Sequence, residues 1–237
     1  MTEPITAAQM RAIEADAMAS GRVSGPDLME RAGQSVLDAV FEHWPVFAQG
    51  AHRAVMLCGP GNNGGDGFVV ARLLSALGWD VRTFFWGQVG KLPPDARANY
   101  DRLKQVQTLP EALAAFEDAA SHISDLRAAP ARSDKRPFLL VDALFGIGLK
   151  RPLPDMGGLQ WHWDHLSNFR DLNEARIVAI DVPSGLDADT GEVVGGEDVL
   201  TILPADLTVT FHRLKQGHVR GNGRRFCGEI IVKDIGL

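Results

Sequence analysis

Cysteine is scarce in this chain, with only Cys58 and Cys227 among 237 residues. Two thiols cannot build the disulfide framework of a small secreted domain, and neither belongs to a metal-ligand pair. That usage fits a reducing compartment, and the chain is read as cytoplasmic. Long apolar runs are missing too, and nothing approaches the roughly 18 residues needed to cross a bilayer. The first residues, Met1-Thr2-Glu3-Pro4-Ile5-Thr6, lack the basic-then-apolar order of a signal peptide. Positive charge is in deficit, with 24 Lys and Arg against 30 Asp and Glu. The resulting net charge of -6 argues against general affinity for nucleic acid or an anionic membrane. No internal repeat or low-complexity tract is present. What remains is a globular composition, 45% hydrophobic and 23% charged, which excludes wholesale disorder.

Apolar periodicity then divides the chain. Thr6-Ala7-Ala8-Gln9 has the form of a capping box and opens a helix to about Ala19, with Met10, Ile13, Ala17 and Met18 expected on its buried face. Gly21 breaks it, and a second helix starts near Pro26-Asp27 and runs to Val40-Phe41. Residues 54–58 read as a buried strand and 68–77 as a helix closed by Gly78. Further strands are expected at 81–86, 138–141, 177–180, 207–211 and 229–232, with helical composition over 94–119 broken at Pro110. Ser133-Asp134-Lys135-Arg136-Pro137 is linker-like but short. Short apolar strands alternating with helices predict a parallel sheet covered on both faces. The expected fold is a Rossmann-like three-layer αβα sandwich with a mostly parallel central sheet and an N-terminal helical extension. It forms one domain over 1–237, divided into an extension at 1–48 and a core at 53–237.

Three expected strands end in polar, glycine-bearing loops. The first is Gly59-Pro60-Gly61-Asn62-Asn63-Gly64-Gly65-Asp66-Gly67, read as a turn that brings bare backbone N–H groups to the positive end of a helix dipole. Two adjacent amides and a carboxylate inside that turn point beyond a plain phosphate cradle. The second loop runs Asp142-Ala143-Leu144-Phe145-Gly146-Ile147-Gly148-Leu149-Lys150-Arg151-Pro152, and the third Asp181-Val182-Pro183-Ser184-Gly185-Leu186-Asp187. Open parallel sheets bind ligands beyond the carboxyl ends of their strands. A carboxylate just after a buried strand is costly unless paired, hydrogen-bonded or bound to a cation. Any one of these aspartates alone is explained as well by turn capping. Three at one rim are better explained by a site.

Together with Leu28-Met29-Glu30-Arg31-Ala32-Gly33, these loops resemble the NAD(P)H-hydrate epimerases, the YjeF N-terminal domain family. The resemblance spans most of the chain. It implies interconversion of the R and S hydrates of NADH and NADPH at C6 of the nicotinamide ring. A stereospecific dehydratase, in some organisms fused to this domain, is the implied functional partner, and a homodimer the implied assembly. Asn62, Asn63, Gly64, Gly65 and Asp66 are then expected to line the substrate site. Gly146, Ile147, Gly148, Leu149, Lys150, Arg151 and Pro152 would form a second wall, and Asp181 a third contact. Asn63, Asp142 and Ser184 match positions where the family binds potassium, and oxygen donors suit a hard cation. Breaking and remaking a bond at C6 needs proton transfer. Asp181 is the first candidate for it and Lys150 the second.

Two other functions compete. Gly59 to Gly64 fits the dinucleotide fingerprint G-x-G-x-x-G, with Asp80 near the spacing of a ribose-binding acid, so an NAD-dependent dehydrogenase is one alternative. Asp80 precedes its strand, however, and Asp66 would sit near a pyrophosphate. No Gly-Lys-Ser/Thr follows, which removes a P-loop. A non-enzymatic YjeF-like scaffold is the other alternative. His162-Trp163-Asp164-His165 offers two histidines but no third ligand, and is read as packing. The basic run from His212 through Lys215 to Arg220, with Arg224 and Arg225, is read as a solvated loop, with Lys215 the likeliest to touch a phosphate.

Overall fold

Thr6 opens the first helix, α1 (Ala7–Ala19), as its sequence requires. The Thr6 hydroxyl accepts from Gln9 N at 3.1 Å, and the Gln9 side chain accepts from Thr6 N at 2.8 Å. Met10 and Ala17 are buried, whereas Ile13 is only half-buried and Met18 is 42% exposed. Each helical residue turns about 100°, so Met18 leaves the stripe that Met10 and Ala17 share. Ser24 caps α2 (Gly25–His43), accepting from Asp27 N at 3.2 Å with Pro26 in the first turn.

The computed structural model describes residues 3–103, 105–108, 137–153, 175–196 and 202–237. The expected break at Pro110, the run 133–136 and the His162–His165 segment lie outside them. The strands are β1 (Arg53–Cys58), β2 (Asp80–Phe85), β3 (Gln107–Thr108), β4 (Phe138–Ala143), β5 (Ala175–Ile180), β6 (Leu207–Phe211) and β7 (Glu229–Lys233). They form a seven-stranded sheet in the order β3-β2-β1-β4-β5-β6-β7, parallel at every pairing. Only β3, two residues long, went unanticipated. Alternate residues bury both faces. Ala54, Met56 and Cys58 join one cluster with Leu139, Val141 and Phe68, while Val55 and Leu57 join another with Phe138, Leu140 and Ile177. That double burial explains why these strands read as unbroken apolar runs. The chain steps from β1 outward to β2 on one side and to β4 on the other. The crevice beyond the carboxyl ends of β1 and β4 is therefore the switch point, the place where open sheets of this kind bind ligands.

The glycine-rich stretch corrects one expectation. It is not a long turn, because α3 spans Asn62–Ala76 and takes in Asn62 through Gly67 as its first turns. None of Gly59, Gly61, Gly64, Gly65 and Gly67 has a positive φ. These glycines serve close approach instead. A Cβ on Gly64 would run into the carbonyl of Gly59, one on Gly65 would lie 2.7 Å from Met29 Sδ, and one on Gly67 2.8 Å from Cys58 Sγ. Helix α3 thus slides down between β1 and α2. Gly64→Ala is expected to lower stability by about 1–3 kcal/mol through overpacking against backbone, despite alanine's better helix propensity. Gly61→Ala, with open space around it, is the control. Equal denaturation midpoints for the two variants would refute the close-approach account.

The helix expected from residue 94 is α4 (Pro94–Asp101), ending before the described residues give out. Two short helices follow β6, α5 (Gln216–Val219) and α6 (Gly223–Phe226). Among the described residues no helix is long and apolar enough to cross a membrane.

Candidate active site at the carboxyl rim of the sheet

A cavity of about 380 Å³ opens at the switch point. Asn62, Asn63 and Asp66 of α3 form one wall, and Gly146, Ile147, Gly148 and Leu149 after β4 form a second. Asp181 and Lys215 stand at the ends of β5 and β6, and α1 contributes Met10, Arg11 and Glu14.

Asp181 is the most constrained of these residues. Its φ is 67°, a left-handed conformation that costs a non-glycine residue about 1–2 kcal/mol. Lys215 Nζ lies 2.8 Å from its Oδ1, Thr210 Oγ1 donates to the same oxygen at 3.0 Å, and Ile147 N reaches Oδ2 at 3.2 Å. Lys215 is 1% exposed and also donates to Thr210 Oγ1 at 2.8 Å and Phe211 O at 3.1 Å. All three of its donors are therefore satisfied. Burial alone pushes the Asp181 carboxyl upward, but the Lys215 ammonium, by charge and hydrogen bond, holds it below the usual carboxylate value.

Two other carboxyls in the cavity are driven the opposite way. Half-buried Asp66 is pushed well up by burial, with the charges of Asp181 and Glu14 adding to it. Glu14 is raised by burial and by Asp181, against the lowering pull of Lys215 and Arg11. Carboxyl groups pushed apart in one cavity provide an ionised acceptor and a neutral donor at the same pH.

Asp142 lies within β4 rather than after it, and is 2% exposed. Ser184 N donates to its Oδ2 at 2.8 Å, Ser184 Oγ to its Oδ1 at 2.6 Å, and Leu144 N to Oδ1 at 3.2 Å. Ser184 Oγ also accepts from Phe145 N at 2.9 Å, which stitches the loops after β4 and β5 together. Burial raises the Asp142 carboxyl, against these hydrogen bonds. Asn63 approaches the loop after β4, because a Cβ on Gly146 would lie 2.9 Å from both Asn63 Oδ1 and Asp181 Oδ2. Asn63 Nδ2 is buried without a hydrogen-bond partner among the described residues. The oxygen and nitrogen of such an amide are assigned from their partners. Turning the amide would aim an oxygen at that unfilled position.

Not every expected site residue reaches the cavity. Lys150 is 59% exposed on its side chain, with Nζ 4.0 Å from Asp187 Oδ2, and does not line the cavity. Arg151 and Pro152 also stay off the cavity wall, and Gly64 and Gly65 lie beneath it as packing residues. Lys215, expected in a solvated loop, is instead the buried partner of Asp181. Glu14 and Thr210 were not anticipated, and His218 was read only as part of the basic run from His212 to Arg220. Their one legible signal is that Thr210, Lys215 and His218 lie in or just after a strand that ends at this rim. Asp80 starts β2 at the amino edge of the sheet, so the dinucleotide fingerprint lacks a ribose acid at the rim.

Residues 25–217 match the model of the family described as YjeF-related protein N-terminus. The chain belongs to that family. It is 48% identical to the NAD(P)H-hydrate epimerase of Roseobacter litoralis and 44% identical to that of Rhodobacter capsulatus, covering 100% of both chains in each case. It is 36% identical to the bifunctional NAD(P)H-hydrate repair enzyme Nnr of Coxiella burnetii, over 97% of this chain and 40% of that protein. The crystal structure of yeast ynu0, YNL200c, superimposes with a TM-score of 0.68 at 22% identity, covering 98% of this chain and 88% of that one. At that identity the likeness bears on the fold alone. The YjeF match starts at residue 25, so α1, with Arg11 and Glu14, precedes it.

Proposed function

We propose that this YjeF-family chain interconverts the R and S hydrates of NADH and NADPH at C6, as a step in nicotinamide nucleotide repair. Full-length identity to proteins named NAD(P)H-hydrate epimerase supports this function. The observation that carries the chemistry is the buried Asp181–Lys215 pair, 2.8 Å apart, in a cavity shared with Asp66.

The substrate carries a hydroxyl on C6, beside ring nitrogen N1. Asp181, ionised through Lys215, takes the hydroxyl proton. The O–H electrons form a C6=O bond as C6–N1 breaks, and Asp66 returns a proton to N1. C6 is now a flat aldehyde carbon. Closure of N1 onto its opposite face, with both protons retracing their paths, gives the other epimer. General acid–base assistance of this kind contributes about 10²–10⁴-fold.

A potassium ion belongs to the same proposal, held by Asn63, Asp142 and Ser184. Three observations support the fit: Asp142 is buried and raised, no Lys or Arg pairs with it among the described residues, and Asn63 has an unfilled amide position. Bound there, the ion would offset the charge of Asp142 and tie the start of α3, the end of β4 and the loop after β5 into one geometry. A dehydratase as functional partner fits the length of the bifunctional relative that this chain leaves uncovered. A homodimer and a cytoplasmic setting complete the reading, the latter supported by two free, buried cysteines.

The test mixes each purified hydrate, labelled with ¹⁸O at C6, with the protein and follows interconversion by chromatography. Interconversion with label retained is expected. Loss of label at each turnover would reassign the step to C6–O cleavage, and no interconversion would remove the function. Exchanging potassium for tetramethylammonium is expected to lower the rate about tenfold or more. Saturating potassium should stabilise the wild type by about 2–3 kcal/mol and leave Asp142→Asn unmoved. A melting temperature indifferent to potassium would eliminate the ion.

A further inference from the structure

His218 of α5 is fully buried and does not line the cavity, yet it touches both members of the central ion pair. Its Nδ1 lies 3.1 Å from Lys215 N, and its Nε2 lies 2.8 Å from the carbonyl oxygen of Asp181. A backbone N–H can only donate, so Nδ1 is the bare nitrogen and accepts. Nε2 therefore carries the proton and donates it to the Asp181 carbonyl. The neighbours thus fix both the tautomer and the ring's orientation.

The carbonyl held in this way belongs to the residue at φ 67°. A left-handed aspartate persists only where its surroundings over-determine it. Here the Asp181 N–H donates to Val209 O at 2.8 Å, on one side of the residue, and His218 secures the carbonyl on the other. We infer that His218 is a positioning residue for epimerisation: by gripping the Asp181 carbonyl and the Lys215 N–H at once, it sets the direction from which the Asp181 carboxylate meets the C6 hydroxyl. This deepens, and rests on, the assignment of Asp181 as proton acceptor.

The charged groups facing the ring are Asp181 and Lys215. Burial above all pushes the imidazole down to about 4, with Asp181 pulling it up and Lys215 pulling it down. The ring is neutral across the physiological range and keeps its accepting nitrogen. It acts as a fixed bracket and takes no part in proton exchange.

Three substitutions separate bracket from filler. In His218→Gln the side-chain amide nitrogen replaces Nε2 and can still donate to the Asp181 carbonyl. In His218→Asn the amide oxygen replaces Nδ1 and serves only Lys215 N. His218→Leu fills the space and serves neither. Misplacing a reacting group by about 1 Å can cost about 10²-fold. The expected result is a kcat lowered about 10–100-fold in Leu and Asn, with KM for the hydrates within about threefold of wild type, and kcat restored to within about threefold in Gln. A merely structural histidine would instead make kcat track the folded fraction, with Gln no better than Asn. Equal kcat for Gln and Asn overturns the inference, even if the Leu variant does not fold. A wild-type protein that fails to interconvert the hydrates overturns the function and this inference together. An active wild type with equally active Leu, Asn and Gln variants overturns the inference alone.

Discussion

Asp181→Asn is expected to lower kcat for hydrate interconversion by about 10²–10⁴-fold. Asparagine keeps the size, but its single accepting oxygen can serve Thr210 or Ile147 N and not both, and it cannot take a proton from the substrate hydroxyl. KM should move far less, because the rest of the cavity wall is untouched. The substitution also strands Lys215, 1% exposed and then without its carboxylate. Breaking a buried pair in this way costs about 3–5 kcal/mol, so rates are to be compared at a temperature where both proteins are folded. The pH dependence has a definite sign. Asp181 is held below its unfolded value, so its contribution is present above that value and is lost as pH falls through the folded one. Wild-type activity should accordingly persist through mildly acidic pH, and its acid limb should vanish in the variant. An Asp181→Asn protein with wild-type kcat would end this assignment.

Asp66→Asn carries the second large effect, and its two readouts move in opposite directions. In the proposed mechanism Asp66 returns a proton to N1, which should be worth about 10²–10⁴-fold in kcat. Its carboxyl is raised by burial, then by Asp181 and Glu14. For a group raised in the folded state, stability is full below the unfolded value and is lost as pH rises through the folded one. Asparagine carries no such penalty. The variant is therefore expected to melt higher than wild type at neutral and alkaline pH, with the gap closing toward acid, while its turnover collapses. Such a trade of stability for activity is characteristic of functional sites. Thermal melts across pH, paired with chromatographic rates, check both halves. A variant that is both less stable and fully active would mean that Asp66 is a structural residue.

The strands were legible because most lie buried on both faces, so that Ala54 to Cys58 and Phe138 to Val141 are apolar without interruption. Thr6 and Gln9 were legible because their capping geometry is wholly local. The start of α3 was not. Glycine is the poorest helix former after proline, and only tertiary packing against Gly59, Met29 and Cys58 explains three glycines in the first turns of a helix. The structure places Lys150 and Lys215 differently from the sequence reading, for the same reason in opposite senses. Proximity in sequence to Gly146 and Gly148 suggested Lys150, but the chain turns outward after Leu149. Lys215 sits in a run with Arg213 and Arg220 that resembles a solvated loop, and only the fold brings it against Asp181. Glu14 was hidden by distance along the chain, since nothing local marks a helix that closes a cavity built elsewhere.

The segment Ile5 to Arg11 is woven into the walls of the candidate site. Ile5 N donates to Leu214 O at 2.9 Å and Ile5 O accepts from Gln216 N at 2.9 Å, so one residue clasps Lys215 from both sides. Ala7 N is tied to Asp189 Oδ1 at 2.6 Å and Arg11 to Ile147 O at 3.2 Å. A change at Ile5, Ala7 or Arg11 is therefore expected to reshape the candidate pocket as well as α1 itself.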